Sequence, residues 1–466
     1  MKRRTTGTPG QALALAAALC AVLALPGTAS AEPGDLPPYR TADDAKPRKG
    51  TASSADGPRL AKGGVYTDTL APGEKKYYSV ELDAKSSAWL SAVAQPRTGS
   101  KVAFGDGISV VLEDTDGTGC SNEEVTFGAD GTARPLAANA GRVIKPDDGC
   151  QDAGVYNFSV ERESENTSDP SVWPVELRFM QEPPVKGTVP TTPPETGNLP
   201  TAAPDPPTGE PEKIKGGTGF NDAVGMDEGV WKDRLRPGET RFYRVPVDWG
   251  QRLMLSAEFG TAQTSDENAY ASGGVRVDVY NPARGYVGGE GAMYQADDPA
   301  AVPFAAAPVD YVNRYSYDGA ASQTGVAGWY YVAVHAKAEL GDFVKGSVPV
   351  TLRTSVTGKA EEGPSYEGDA AEAGFGVTDE DKEQATDGVT ADEAKESGDD
   401  GLNLLAYGGI GAGTVLLLVL GVWTLTARRR AAPADAVPYP AGAPGPYGTQ
   451  QYPQQYPGQQ PPQGWG

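Results

Sequence analysis

Cys120 and Cys150 are the two cysteines outside an apolar N-terminal run that also holds Cys20. In an oxidising exterior two such thiols pair, which predicts a disulfide worth about 3.5 kcal/mol in the chain-entropy model. Asp114 and Asp116, with Gly117, stand in the stretch EDTDGTG. Oxygens at that spacing make a weak calcium candidate, although the full EF-hand spacing is missing and an acidic turn accounts for the same residues. His335 is the single histidine, which on supply nearly excludes a histidine-based metal site or a Ser-His-Asp triad. Strand alternation puts His335 on the polar side of its segment, as a surface residue. Carboxylates are plentiful, yet nothing marks two of them as a hydrolytic pair. No phosphate loop, serine elbow or zinc pattern is found. The sequence therefore predicts no catalytic set and no cofactor. Trp89, Trp249 and Tyr331 are the first candidates for a binding surface, because exposed aromatics give contact area at low entropic cost. The alternative is that they cap sandwich edges.

The elements that must carry these residues come in two copies. GVYTDTLAPGEKKYYSVEL starts at Gly64, and GVWKDRLRPGETRFYRVPV starts at Gly229, 165 residues later. Further matches keep the same order: ISVVLED at Ile108 with VRVDVYN at Val275, AGVYNFSVE at Ala153 with AGWYYVAVH at Ala327, WPVELRF at Trp173 with VPVTLRT at Val348. Each segment alternates apolar and polar residues with period 2, and Gly, Pro, Asp and Asn clusters separate them. The fold class predicted is all-β: two tandem antiparallel β-sandwich domains, residues 62–182 and 214–357, with one wet face per sheet. In Leu-x-Pro-Gly-Glu, proline sets φ near −65° and glycine takes the positive φ that follows in a tight turn. Cysteines occur only in the first copy, so the bridge pins an insertion there.

Leu-x-Pro-Gly-Glu followed by Tyr-x-Val, then Asp-Val-Tyr-Asn-Pro, then Gly-x-Tyr-Tyr-Val-x-Val, resembles the bacterial pre-peptidase C-terminal (PPC) domain. The resemblance covers both copies, the second more clearly. It implies small, jelly-roll-like sandwiches on a secreted bacterial protein. That family often accompanies peptidases, and no peptidase domain is present here, which leaves an accessory or binding role.

Around the copies, composition predicts segments of other kinds. Residues 1–31 read as a signal peptide: Lys2, Arg3 and Arg4, an apolar stretch from Ala12 to Leu25, and the small residues Ala29-Ser30-Ala31. Residues 32–61 read as a disordered leader. Residues 183–213 are a proline-rich linker, which favours modules that move independently but could also bridge packed ones. Residues 358–401 read as an acidic, solvated stalk, with fifteen Asp or Glu against three Lys up to Asp400. Residues 402–427 carry no charge and are long enough, at about 39 Å, to cross a membrane as a helix. Arg428 to Arg430 follow and mark the cytoplasmic side. Residues 428–466 form a disordered tail rich in Pro, Gly, Tyr and Gln. The expectation is a type I single-pass protein of the plasma membrane, of the kind found in actinobacteria, with 32–401 outside and 428–466 inside. The formal net charge of −22 argues against nucleic acid as a partner. The expected partner is a protein or a glycan at the cell surface. The alternative is an accessory subunit of a secretion or wall-synthesis complex, acting through its helix and tail.

Overall fold

The computed structural model describes residues 36–128, 131–145, 148–188, 190–192 and 206–395. The signal peptide, membrane helix and tail expected from the sequence lie outside them. Among the described residues no helix is long and apolar enough to cross a membrane.

Module 1 contributes β1 (Lys46–Pro47), β2 (Val65–Leu70), β3 (Lys75–Leu82), β4 (Ala88–Ala94), β5 (Gly107–Asp114), β6 (Gly119–Thr126), β7 (Leu136–Arg142), β8 (Gly154–Glu163) and β9 (Trp173–Gln181). Module 2 contributes β10 (Glu212–Lys213), β11 (Val224–Gly225), β12 (Gly229–Leu235), β13 (Thr240–Val247), β14 (Arg252–Phe259), β15 (Gln263–Thr264), β16 (Tyr270–Tyr280), β17 (Tyr286–Gln295), β18 (Ala300–Ala305), β19 (Gly328–Ala336), β20 (Val344–Lys345) and β21 (Val348–Thr357). The front sheet of module 1 runs β1-β2-β9-β4-β7, and that of module 2 runs β10-β12-β21-β14-β18. The back sheets run β3-β8-β5-β6 and β11-β13-β19-β16-β17. The two orders superpose strand for strand, apart from the short extra strand β11, so the duplication read from the sequence is a duplication of topology. Apart from β1, β10 and β11, which pair in parallel, the ladders of these four sheets are antiparallel.

The repeated turn has the geometry its residues dictate. Gly73 and Gly238 sit at φ 68° and 82°, which a side chain would resist. The glutamate after each glycine reaches back: the Ala71 N–H donates to Glu74 Oε2 at 2.8 Å, and the Arg236 N–H to Glu239 Oε2 at 2.8 Å. A second repeated device was not read from the sequence. Tyr78 Oη donates to Asp68 Oδ2 at 2.8 Å, and the Gly50 N–H donates to the same oxygen at 2.7 Å. Tyr243 and Gly216 do the same to Asp233 Oδ2, at 2.7 and 2.9 Å. A Cβ at Gly50 or Gly216 would lie 2.7 Å from the Cζ of its tyrosine, so only glycine lets the chain pass. Burial opposes ionisation of Asp68, but bonds from Lys76, Gly50 and Tyr78 outweigh it and hold its carboxyl below the usual range.

The repeat therefore begins upstream of its conspicuous motif, and part of the expected leader is structured. β1 pairs in parallel with β2 as β10 pairs with β12, and Leu60 is buried. The wet-face expectation also fails where it matters. Every residue of β4 is buried, because one face meets the module 1 core and the other meets module 2. Val93 and Ala137 of the module 1 front sheet form one apolar cluster with Phe242, Tyr280, Tyr331 and Ala333 of the module 2 back sheet.

The expected solvated stalk is in large part a folded strap over this junction. Val185 pairs with Tyr366 in an antiparallel bridge. Phe375 is fully buried, its ring 5.1 Å from that of Trp89. The helix Asp379–Asp387 follows, with a capping box between Thr378 and Asp381, which satisfies N–H groups that the first turn leaves open. Trp329 Nε1 donates to Asp381 Oδ1 at 2.7 Å, and Arg244 Nη2 to Gln384 Oε1 at 2.7 Å. Net acidity marked this segment as a spacer, whereas its few apolar residues and caps decide where it lies.

Candidate functional site

The residues expected at a binding surface are inside. Trp89, Trp249 and Tyr331 are each 8% exposed. Trp89 lies under Phe375 and near Arg314. Trp249 has its ring 6.3 Å from that of Tyr311, tilted at 48°, and sits beneath Gly363, where a Cβ would collide with its indole. Tyr331 meets Phe220 edge to face in the junction. His335 is also buried rather than on the surface, 4% exposed. Its Nδ1 lies 2.9 Å from Thr240 Oγ1. Burial, together with Arg134, Arg276 and Lys337, pushes its pKa down to about 3. For Trp89, Tyr331 and His335 the reason is shared: alternation separates two faces of a strand correctly but does not say that the outer face meets another module. Trp249 lies instead in the turn after β13 and is covered by Tyr311 and the chain at Gly363.

Cys120 and Cys150 form the expected disulfide. Asp114 turns its carboxylate on its own loop, with Oδ1 accepting the N–H groups of Asp116 and Thr118 at 2.9 and 2.8 Å. Among the described residues no group of three or more His, Cys, Asp or Glu is placed to hold a metal.

The junction is held by two close, buried ion pairs, and a third, Arg134 with Asp278, crosses it at a looser 3.8 Å. Arg284 Nη1 donates to Glu176 Oε1 at 2.5 Å, and neither side chain has exposed surface. Asn221 Nδ2 and the Ala42 N–H also donate to Glu176. Arg314 forks onto both oxygens of Glu182 at 2.6 and 3.0 Å, and Tyr366 of the strap donates to the same carboxylate at 2.6 Å. A planar fork of this kind fixes register as well as adding energy.

Beside the first pair the modules part to leave a cleft of about 610 Å³. Module 1 supplies Gln95 to Ser100 in part, Arg134 and Asp169 to Pro174 in part; module 2 supplies Thr218 and Gly238 to Thr240; the leader closes one end with Leu36 to Tyr39. The acids here are occupied. Glu239 meets Arg241 Nη2 at 2.7 Å as well as its own turn. Asp169 accepts the Ser171 N–H at 2.9 Å and lies 3.6 Å from Arg97, and those hydrogen bonds from Ser171 hold its carboxyl below the usual range. Arg134 is differently placed. It is 8% exposed, and among the described residues its contacts are weak: the Thr132 carbonyl at 3.5 Å, Asp278 at 3.8 Å and the Phe127 ring at 5.8 Å. Asp278 is already taken by Arg276 Nε at 2.8 and 3.0 Å. No signal in the sequence singled Arg134 out, because the cleft exists only once the modules are packed.

No family model matches this chain, and no curated protein matches it. Solved structures similar to it include the N-terminal CBM22-1-CBM22-2 tandem domain of Paenibacillus barcinonensis Xyn10C, at 11% identity, covering 64% of this chain and 93% of that one, with TM-score 0.17. The ANXUR2 extracellular domain of Arabidopsis thaliana is similar at 9% identity, 65% and 86% coverage and TM-score 0.17. The tandem CBM51 modules of Sp3GH98, the family 98 glycoside hydrolase from Streptococcus pneumoniae SP3-BS71, are similar at 8% identity, 62% and 83% coverage and TM-score 0.16. At these scores the likeness carries no weight of its own, and the assignment to all-β sandwiches rests on the strand order.

Proposed function

We propose that this chain is a non-enzymatic binding protein of the cell surface, anchored as a type I membrane protein, whose paired sandwiches act as one receptor body. Its ligand sits in the cleft between the modules. The observation that carries this reading is the cleft itself, walled by both modules and fixed by buried ion pairs on the junction beside it. Its volume lies in the range of small-ligand sites. The signal-like N-terminus, the uncharged 402–427 stretch and the arginines after it support the anchoring. The PPC-like motifs fit an accessory module without a catalytic partner.

The test uses full-length protein in detergent, screened against glycan and peptide arrays. Thr98 is exposed at the cleft, so Thr98→Trp fills it without touching either core. Ligands retained by the wild type and lost by Thr98→Trp support the reading. Ligands held equally by both place recognition elsewhere and defeat it.

A further inference from the structure

We propose that the cleft takes an acidic glycan, a hydroxyl-rich chain whose carboxylate pairs with Arg134. This rests on the reading of the cleft as the ligand site and adds the chemistry of what fills it.

The protein carries −22 overall, so an anionic ligand meets net repulsion and needs a local reason to stay. The cleft supplies one. Its two flanking acids, Asp169 and Glu239, are engaged with Arg97 and Arg241. Arg134 brings five N–H donors and spends little of that capacity on the protein. A buried guanidinium is normally closed off by carboxylates or carbonyls. Here the nearest carboxylate, on Asp278, stands 3.8 Å away and is claimed by Arg276. The unused donors are those a planar carboxylate would accept as a fork.

The rest of the lining selects what carries the carboxylate. Gln95 and Thr98 put an amide and a hydroxyl into the cleft that Arg134 lines, and these can exchange hydrogen bonds with sugar hydroxyls, while Thr218 and Thr240 line it with hydroxyls already bonded to Asp222 and His335. Prolines at 37, 38, 135 and 174 and the exposed Val172 supply apolar patches against which the C–H faces of a sugar ring can lie. An acidic peptide would more readily use a free strand edge or a deep apolar pocket. The cleft is instead built mainly from loops and strand ends.

The test is calorimetric titration of full-length protein in detergent with acidic oligosaccharides: uronate tetramers, sialylated trisaccharides and pyruvylated disaccharides. Each is paired with the same sugar whose carboxyls have been reduced to alcohols. The expected result is binding of at least one acidic member, at least about tenfold weaker for its reduced form and for Arg134→Gln. Arg97→Gln changes an arginine with 77% of its side chain exposed at the rim, and is expected to cost about threefold. Because Arg134→Gln alters a buried site, its thermal midpoint is recorded, and Arg97→Gln with the reduced sugars keeps the test valid if that variant is unstable. Equal binding of acidic and reduced sugars, abolished by Thr98→Trp, overturns the charge assignment and leaves the cleft reading intact. Binding unchanged in Thr98→Trp overturns both. Binding of acidic peptides in place of every sugar, or of nothing, overturns the proposal.

Discussion

Glu176 and Arg284 show what a single residue does in this molecule. Each would be read as a solvated charge on an outer strand face or loop, and each is fully buried against the other module. Removing one partner strands the other charge in a low-dielectric junction, so Glu176→Ala is expected to cost about 3–5 kcal/mol, measured by urea unfolding. Glu176→Leu combined with Arg284→Met replaces the pair with packed apolar volume and is expected to recover most of that loss. A double variant no more stable than the single one would show that the pair's hydrogen bonds, not its charge, hold the junction. His335 and Glu123 give the junction region a pH signature. His335 falls to about 3, so below pH 6.5 the unfolded chain binds its proton first and stability drops as pH falls towards 3. Burial raises Glu123 to about 7, against the opposing bond from the Asn139 N–H. The folded chain then holds the Glu123 proton between pH 4.5 and 7, and stability drops as pH rises through that window. The two slopes oppose each other between pH 4.5 and 6.5. His335→Gln should leave the falling slope of Glu123, to which the raised carboxyls of Glu163, Asp227 and Asp278 add in the same direction, in stability measured from pH 4 to 8, and a rise across that range would refute the assignment.

At the scale of elements, strand positions were legible in the sequence because period 2 and the Leu-x-Pro-Gly-Glu turn leave local marks. Tyr156, Phe158 and Val160 face the core as their alternation requires. The parallel strands β1 and β10 were not legible, since two residues carry no period; only the glycines at 50 and 216 mark them. Tyr331, Ala333 and His335 alternate correctly, yet their face is dry, because what covers a sheet is not written in the strand itself. The strap is illegible for a different reason. Its charge dominates its composition, and one phenylalanine dominates its packing. Phe375→Ala is expected to destabilise by about 3–5 kcal/mol, and Thr378→Ala by about 1 kcal/mol through the lost cap. Chemical denaturation checks both; a Phe375 variant as stable as the wild type would mean the strap is not docked in solution.

At the scale of the whole molecule, the duplication has been put to unequal use. The module 2 face bearing Phe242, Tyr280 and Tyr331 corresponds to Tyr77, Glu113 and Asn157 in module 1. The face that covers its neighbour carries three aromatic rings at these positions, whereas the matching module 1 face carries one ring and two polar side chains. Such divergence makes the junction a permanent interface. Differential scanning calorimetry is expected to show one cooperative transition for both modules; two separated transitions would show that they unfold independently.

The strap also decides how the molecule answers a mechanical load. A pull on Lys395 reaches the core through the strap's contacts in turn: Val389 and the helix on Gly225, Trp329 and Arg244, then Phe375 on Trp89, then Tyr366 and its neighbours on Glu182 and the Pro184–Lys186 backbone. These give way one at a time, as in peeling. β21, bonded on both sides to β12 and β14, must by contrast be sheared with its ladders loaded together. The 38 residues from Gly358 to Lys395 would pay out about 130 Å of chain before that strand bears force. Pulling on the chain at Lys395 is therefore expected to give several small early extensions before one larger rupture at β21.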